Sequence, residues 1–135
     1  MKPVAALISA MFLIPSSIAA ASDLSHGKAE YQNSCARCHG QDATGLDVMG
    51  DVLMKRPADL TVLARLNGGE FPYFRVVATI DGRYLVAAHG DRDMPIWGTI
   101  FRDQGTKSFG PQGGEWAAEA RIFALADYIR SLQQP

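Results

Sequence analysis

Cysteine is scarce in this chain: only two occur in 135 residues, and both lie in NSCARCHGQD, residues 33–42. A disulfide between residues three apart closes a very small loop, so it is a weak explanation for the pair as a structural crosslink. A structural zinc site usually needs four ligands, and only His26 and His89 remain as further histidines. The pair is better explained by a local chemistry of its own.

Charge of either sign is also in short supply. Lysine and arginine number 13 against 14 acidic residues, which gives a net charge of −1. Such a balance shows no excess of basic residues of the kind that binds nucleic acid. It also predicts that the overall charge of the protein attracts partners only weakly. Hydrophobic residues make up 47% of the chain. The length and composition therefore favour one folded domain with a single core.

Long apolar runs are absent except near the start. Residues 4–14 are apolar, follow a single lysine and end at a proline, and the small residues beyond place Ala19 and Ala21 three residues and one residue before a typical cleavage point. A membrane-spanning helix needs roughly 20 apolar residues, so this run is too short for an anchor. We predict a secretory signal peptide over residues 1–21 and an exported domain over residues 22–135 with no membrane span.

The alternating pattern of a substantial sheet is missing, and helical spacing is present instead. It predicts helices over about 24–36, within 58–69 and within 70–82, with a less regular segment over 83–98. In residues 114–134, apolar side chains recur at steps of three and four, which indicates an amphipathic helix of about four to five turns. We therefore predict an all-α fold.

The two cysteines and the histidine that follows them form one constellation. On a helix Cys35, Cys38 and His39 share a face, because residues three and four apart are neighbours there. Two thiols on one edge can add to the two vinyl groups of a haem, while the imidazole lies under the iron. The pattern C-x-x-C-H is typical of covalent c-type haem attachment. A thioredoxin-like redox pair would instead follow a strand in a βαβ unit. Such a pair and a site for another metal both remain as weaker alternatives to haem attachment.

A haem iron bound by one histidine has a sixth position to fill. The candidates are Met49, Met54, Met94, His26 and His89. Met94 is favoured because it lies in GDRDMPIWG, where Pro95 restricts the backbone and glycines on either side permit turns. A thioether sulfur is a soft ligand that raises the reduction potential of the iron. His89 is the second candidate, since imidazole also binds haem iron.

Taken together, the segments GKAEYQNSCARCHG, PADLT, DMPIWG and LADYIRSL resemble a class I cytochrome c of the bacterial periplasmic type, over nearly all of the chain after residue 21. The resemblance implies one covalent haem c held through Cys35 and Cys38, with His39 and Met94 as axial iron ligands. It also implies a periplasmic location. In this family the first and last helices cross beside the haem through a glycine and an aromatic residue. Gly27 and Tyr31 on one helix, with Leu125 and Tyr128 on the other, match those positions.

The same resemblance suggests the surroundings of the haem. In the family a proline carbonyl holds the second nitrogen of the proximal histidine, and Pro57 is the candidate here. Trp97 is a candidate for packing on the haem edge or donating to a propionate. Arg56 and Arg92 are candidates for pairing with propionates. The predicted apolar wall of the pocket consists of Leu60, Leu63, Phe71 and Phe74.

The expected function is electron transfer in the periplasm, by a carrier that is not itself an enzyme. The expected partners are redox proteins. They are a dehydrogenase, or else a terminal oxidase or reductase, and the sequence does not decide between these two sides. One alternative is a dedicated haem c subunit of a periplasmic dehydrogenase complex. A second is a catalytic or gas-sensing haem protein, which would need an open or labile sixth position on the iron.

Overall fold

A computed structural model of this protein describes residues 17–46, 56–82 and 94–135, with side chains from residue 24. Within these ranges every regular element is helical, as the sequence predicted. They are α1 (Ser17–Ser34), α2 (Ala36–His39), a 3-10 turn (Leu60–Val62) that leads into α3 (Leu63–Leu66), α4 (Tyr73–Asp81) and α5 (Trp97–Ser131). No helix in the described part of the chain is both long enough and apolar enough to cross a bilayer.

Helix α1 begins earlier than the predicted residue 24 and ends at Ser34, two residues before the predicted end. Residues 17–22 are alanine, serine and isoleucine, and alanine is the strongest helix former, so the helix continues back through them. Residues 1–16 lie outside the described chain. The signal peptide and its cleavage point therefore stay predictions.

The two terminal helices cross at Gly27, which is buried. A Cβ atom placed there would lie 2.8 Å from Cβ of Tyr128 and would collide with the carbonyl oxygen of Ala124, so only glycine allows this approach. One turn further along α1, the rings of Tyr31 and Tyr128 lie 5.4 Å apart, and Leu125 is fully buried beside them. The predicted crossing through a glycine and an aromatic residue is confirmed.

Helix α5 is bent into two arms at Gly110, whose φ of 74° is followed by Pro111. We call residues 97–109 the first arm and residues 111–131 the second arm. The arms contact each other closely: a Cβ on Gly105 would lie 3.1 Å from Cα of Gly114. The second arm corresponds to the predicted last helix.

The first arm is a correction to the sequence prediction, which left residues 83–98 irregular and assigned no element to residues 99–113. Trp97, Ile100 and Phe101 do have helical spacing, and Phe101 is fully buried. The signal is weak because glycines and threonines within this arm lower its helix propensity. Packing against the second arm and α4 compensates for that deficit.

The segment between residues 58 and 82 follows the prediction of two short helices. Asp59 caps the first, since its carboxylate accepts from the backbone N–H of Thr61 at 2.8 Å. The chain end closes over it: the amide of Gln133 donates to the carbonyl of Leu60 at 2.7 Å and accepts from the N–H of Ala64 at 2.8 Å. The 3-10 turn is thereby fixed against the end of α5.

Candidate haem site

The motif Cys35–His39 lies at the end of α1, where the helix breaks and restarts as one turn. The N–H of Cys35 still donates to the carbonyl of Tyr31 at 2.8 Å, which ties the motif to the fully buried tyrosine at the helix crossing. The N–H groups of Cys38 and His39 both donate to the carbonyl of Cys35, at 3.0 and 2.9 Å. One turn of backbone therefore carries both thiols and the imidazole.

The two thiols have different surroundings. Cys35 is 6% exposed, whereas Cys38 is half-buried, and both are free. Burial, with smaller contributions from the charges of Glu30 and Cys38, raises the pKa of Cys35 to about 12. The Cys35 thiol is thus neutral near pH 7. No group of three or more histidine, cysteine or acidic side chains suited to a metal ion occurs in the described ranges.

The imidazole of His39 is oriented by a backbone carbonyl. Its Nδ1 lies 3.0 Å from the carbonyl oxygen of Ala58, and because a carbonyl can only accept, Nδ1 carries the proton. The other ring nitrogen, Nε2, then keeps its lone pair. Burial lowers the pKa of His39, while the bond to Ala58 opposes that shift, so the ring is neutral near pH 7. A neutral imidazole is the form that binds a metal.

The acceptor is Ala58 and not Pro57, which corrects the sequence assignment by one residue. The carbonyl of Pro57 faces the position where a Cβ of Gly45 would stand. Gly45 has a φ of 71°, and its N–H donates to the carbonyl of His39 at 2.8 Å. Because the chain at Gly45 occupies the space beside the Pro57 carbonyl, the next carbonyl along reaches the histidine.

The loop after the motif is held by further backbone contacts that the sequence analysis missed. The buried hydroxyl of Tyr31 donates to the carbonyl of Gly40 at 2.7 Å. The N–H of Leu60 donates to the carbonyl of Ala43 at 2.8 Å, and Ala43 is fully buried with a φ of 65°. A non-glycine residue with positive φ is uncommon and marks a backbone held in place by its surroundings. No sequence pattern pairs residues 43 and 60.

Met94 and Trp97 lie on or near the start of the first arm. Both are half-buried and pack against the core cluster. The ring of Trp97 lies 5.5 Å from that of Phe101. Among the other candidates for the sixth position, His26 is exposed on α1, and Met49, Met54 and His89 lie outside the described residues. Arg92, a candidate for pairing with a propionate, also lies outside them. Arg56 is exposed.

The four residues predicted for the apolar wall differ in burial. Leu60, Leu63 and Phe71 pack against the core cluster and are half-buried. Phe74 is 82% exposed, and its part in the wall stays a prediction. It lies two residues into α4 and borders an open groove of about 320 Å³, lined by residues 67 and 70–75. That groove does not include the Cys35–His39 motif.

The residues present fit a covalently bound haem. One turn carries two thiols and a neutral imidazole with a free nitrogen. Several large apolar side chains touch the core and yet remain only half-buried. A flat apolar macrocycle buries surface of this kind. The half-buried set is Leu60, Leu63, Phe71, Val76, Val77, Met94, Trp97, Ile100, Tyr128 and Leu132.

Comparison with protein families agrees with this fit. Residues 22–129 match the model of the family described as cytochrome c oxidase, cbb3-type, subunit III. The match includes the motif, both sides of the helix crossing and Met94. A search of curated proteins found no significant match. A search of solved structures also found none.

Proposed function

Because the chain belongs to the family described as cytochrome c oxidase, cbb3-type, subunit III, a family of class I-like c-type cytochromes that bind covalent haem c, we propose that it is a single-haem electron carrier with His39 and Met94 as axial iron ligands. When bound, the haem supplies a one-electron couple between Fe(III) and Fe(II). The cofactor class and its use in electron transfer follow from the family. The ligands, the location and the partners are the proposal.

The observation that carries the proposal is the orientation of His39. Its Nδ1–H is engaged by Ala58, which leaves Nε2 as the only ring nitrogen able to bind iron. A hydrogen bond of this kind fixes ring orientation and raises ligand basicity. Cys35 and Cys38 stand on the same turn, so their sulfur atoms would form the two thioether bonds.

Met94 is the preferred sixth ligand in the described chain. It combines a soft donor with contact to the core, whereas the described alternative His26 is exposed. Pro57, Leu60 and Trp97 are proposed as neighbours of the haem, because they lie on the segments that hold His39 and Met94. A protein with both axial positions filled by its own side chains leaves no site on the iron for substrate. This favours electron transfer over catalysis or gas sensing.

We further propose that the protein acts in the periplasm, as the signal-like N-terminal segment suggests. Its partners would be redox proteins that meet it through a small and transient contact. The near-neutral net charge leaves local contacts to decide which partner binds.

A second candidate is a dedicated electron-transfer subunit of an oxidoreductase complex. It is favoured by three exposed aromatic side chains, Phe109, Trp116 and Phe123, which are 71%, 72% and 45% exposed. Trp116 and Phe123 lie two turns apart on the second arm, and Phe109 adjoins its bend. Exposed aromatic side chains of this kind are enriched at protein interfaces.

Spectroscopy of the holoprotein distinguishes these functions. The full chain would be co-expressed with a haem-attachment system in a bacterial periplasm, oxidised and reduced, and then exposed to carbon monoxide. A carrier should give reversible low-spin spectra that carbon monoxide does not change. A high-spin ferrous spectrum that shifts with carbon monoxide would instead indicate catalysis or sensing.

The subunit alternative needs a separate measurement. A tagged chain would be purified from its own cells, next to a variant with Phe109→Ser and Trp116→Ser. Stable association of the unchanged chain with a redox enzyme, lost in the variant, would establish a subunit. A monomer in both preparations would support the free carrier.

A further inference from the structure

Arg121 joins three helical segments at one point. It lies on the second arm, and its guanidinium binds both carboxylate oxygens of Glu30 on α1, at 2.8 and 2.9 Å. It also donates to the side chain of Gln104 on the first arm at 2.6 Å. Its Cζ lies 3.8 Å from the ring centroid of Phe101, which is fully buried on the first arm.

Phe101 connects this arginine to the Met94 side of the site. The Phe101 ring lies 5.5 Å from that of Trp97, and Trp97 begins the arm three residues after Met94. Glu30 lies on the helix that ends in the haem-attachment motif, five residues before Cys35. Arg121 therefore fixes the arm that follows one proposed iron ligand against the helix that precedes the other.

The chemistry of these contacts suits such a positioning role. A guanidinium binds a carboxylate through two parallel bonds, which fix its plane, and the same plane stacks on an aromatic face. Glu30 is further held by the hydroxyl of Ser34 at 2.7 Å. The side chains of Arg121 and Glu30 are 31% and 16% exposed, so the pair is partly shielded from solvent.

We propose that Arg121 is a positioning residue that holds the first arm so that Met94 stays bound to the haem iron. The inference rests on the proposed function, because it takes Met94 as the sixth ligand. Loss of Arg121 would release Phe101 and Trp97 from α1 and loosen the segment that begins at Met94. The sulfur would then be displaced more easily by an outside ligand.

The same helix offers a matched control. Arg130 also lies on the second arm, pairs with Asp127 at 2.9 Å, and has its Cζ 5.3 Å from the ring centroid of Tyr73 on α4. Arg130→Gln thus removes the same charge and the same kind of ring contact. The contacts of Arg130 in the described chain are with Asp127 on the second arm and Tyr73 on α4, apart from the contacts that join α1 to the first arm.

The test is competition by imidazole for the ferric iron of the holoprotein, followed as loss of the weak near-infrared band of a sulfur–Fe(III) bond. Arg121→Gln should lower the imidazole concentration for half displacement roughly tenfold. Arg130→Gln should change it by less than about twofold. Arg121→Lys, which keeps the charge and loses the planar fork, should fall between them.

The possible outcomes separate the two proposals. If the unchanged protein lacks the band, the ligand assignment fails. If the band is present and Arg121→Gln behaves like Arg130→Gln, the positioning role is wrong. A merely stabilising role would lower the unfolding temperature but leave imidazole displacement unchanged well below it. Should Arg121→Gln not accumulate with haem, Arg121→Lys decides: a shift of at least about threefold supports the role, and a smaller one overturns it.

Discussion

The two proposed iron ligands are held in different ways. His39 belongs to an attachment segment, residues 31–45, in which backbone groups bond to one another and the His39 imidazole donates to the carbonyl of Ala58. Met94 precedes the first arm of α5, and that arm is placed by side chains outside it, such as the guanidinium of Arg121 on the second arm, which lies over Phe101. One ligand is set by hydrogen bonds to backbone carbonyls and the other by side-chain packing between helices.

This difference predicts two classes of variant. Changes that disturb the attachment segment or the helix crossing next to it should lower the stability of the whole domain. The reason is that the crossing lies on α1 and the attachment segment begins on the same helix. Changes at the first arm should leave the thioether attachment intact and alter only the sixth ligand. Four substitutions test that separation, in order of decreasing effect.

Gly27→Val should have the largest effect. A side chain at Gly27 would strike the carbonyl of Ala124 and Cβ of Tyr128, so the two helices must separate. We expect a loss of about 3 kcal/mol or more in the free energy of unfolding, measured by urea denaturation of the holoprotein. Ala29→Val, at an exposed position of the same helix, is the control and should lose less than about 1 kcal/mol. Equal losses would contradict the close crossing.

Tyr31→Phe tests the attachment segment directly. It removes the hydroxyl that donates to the buried carbonyl of Gly40 and keeps the ring against Tyr128. Because that carbonyl loses its partner, we expect a loss of about 1–3 kcal/mol in the free energy of unfolding. Tyr73→Phe, at a half-buried position, should lose less. An unchanged free energy of unfolding in Tyr31→Phe would show that the hydroxyl does not hold the loop.

Gly98→Ala tests the first arm. A Cβ at Gly98 would lie 3.0 Å from Cα of Asp81 and would meet its carbonyl, so the arm must shift away from α4. We expect about 1–2 kcal/mol lower stability, full covalent haem on a denaturing gel and a weaker sulfur–Fe(III) band. Thr99→Ala, exposed on the same arm, is the control. Loss of covalent haem in Gly98→Ala would break the separation between the two regions.

Glu30 should make a small, pH-dependent contribution that links the two regions. Burial opposes ionisation, but the hydrogen bonds from Arg121 and Ser34 and the charge of Arg121 outweigh it and lower the pKa of Glu30. A lowered folded-state pKa adds stability above the unfolded pKa, and that stability is lost as the pH falls through the folded value.

Glu30→Gln should therefore reduce stability at pH 7 by less than about 1 kcal/mol, the usual range for partly exposed pairs. The difference from the unchanged protein should shrink as the pH falls below about 4.5, the ordinary value for this group. Thermal unfolding from pH 3 to pH 7 measures it, with the exposed Glu119→Gln as control. A difference that grows toward low pH would contradict the pairing with Arg121.

The sequence predicted best what local spacing determines. Cys35, Cys38 and His39 share a turn because their spacing demands it, and the helices over 60–66 and 73–81 follow from capping residues and glycines. The crossing at Gly27 followed from the family resemblance, and its geometry is confirmed.

The remaining features depend on contacts between distant residues. Ala58 replaces Pro57 as the acceptor because Gly45 occupies the space beside the proline carbonyl, which no local rule reveals. The first arm was missed because its glycines and threonines hide the apolar spacing of Trp97 and Phe101. The exposure of Phe74 depends on the orientation of α4, which hydrophobicity alone does not reveal.

The central claim is that Met94 binds the iron opposite His39. The most direct measurement is the near-infrared absorbance of the ferric holoprotein and of its Met94→Ala, Met49→Ala and Met54→Ala variants. We predict a weak sulfur–Fe(III) band in the unchanged protein and in the last two variants, and its loss in Met94→Ala. A band that survives Met94→Ala, or one that is missing from the unchanged protein, would contradict it.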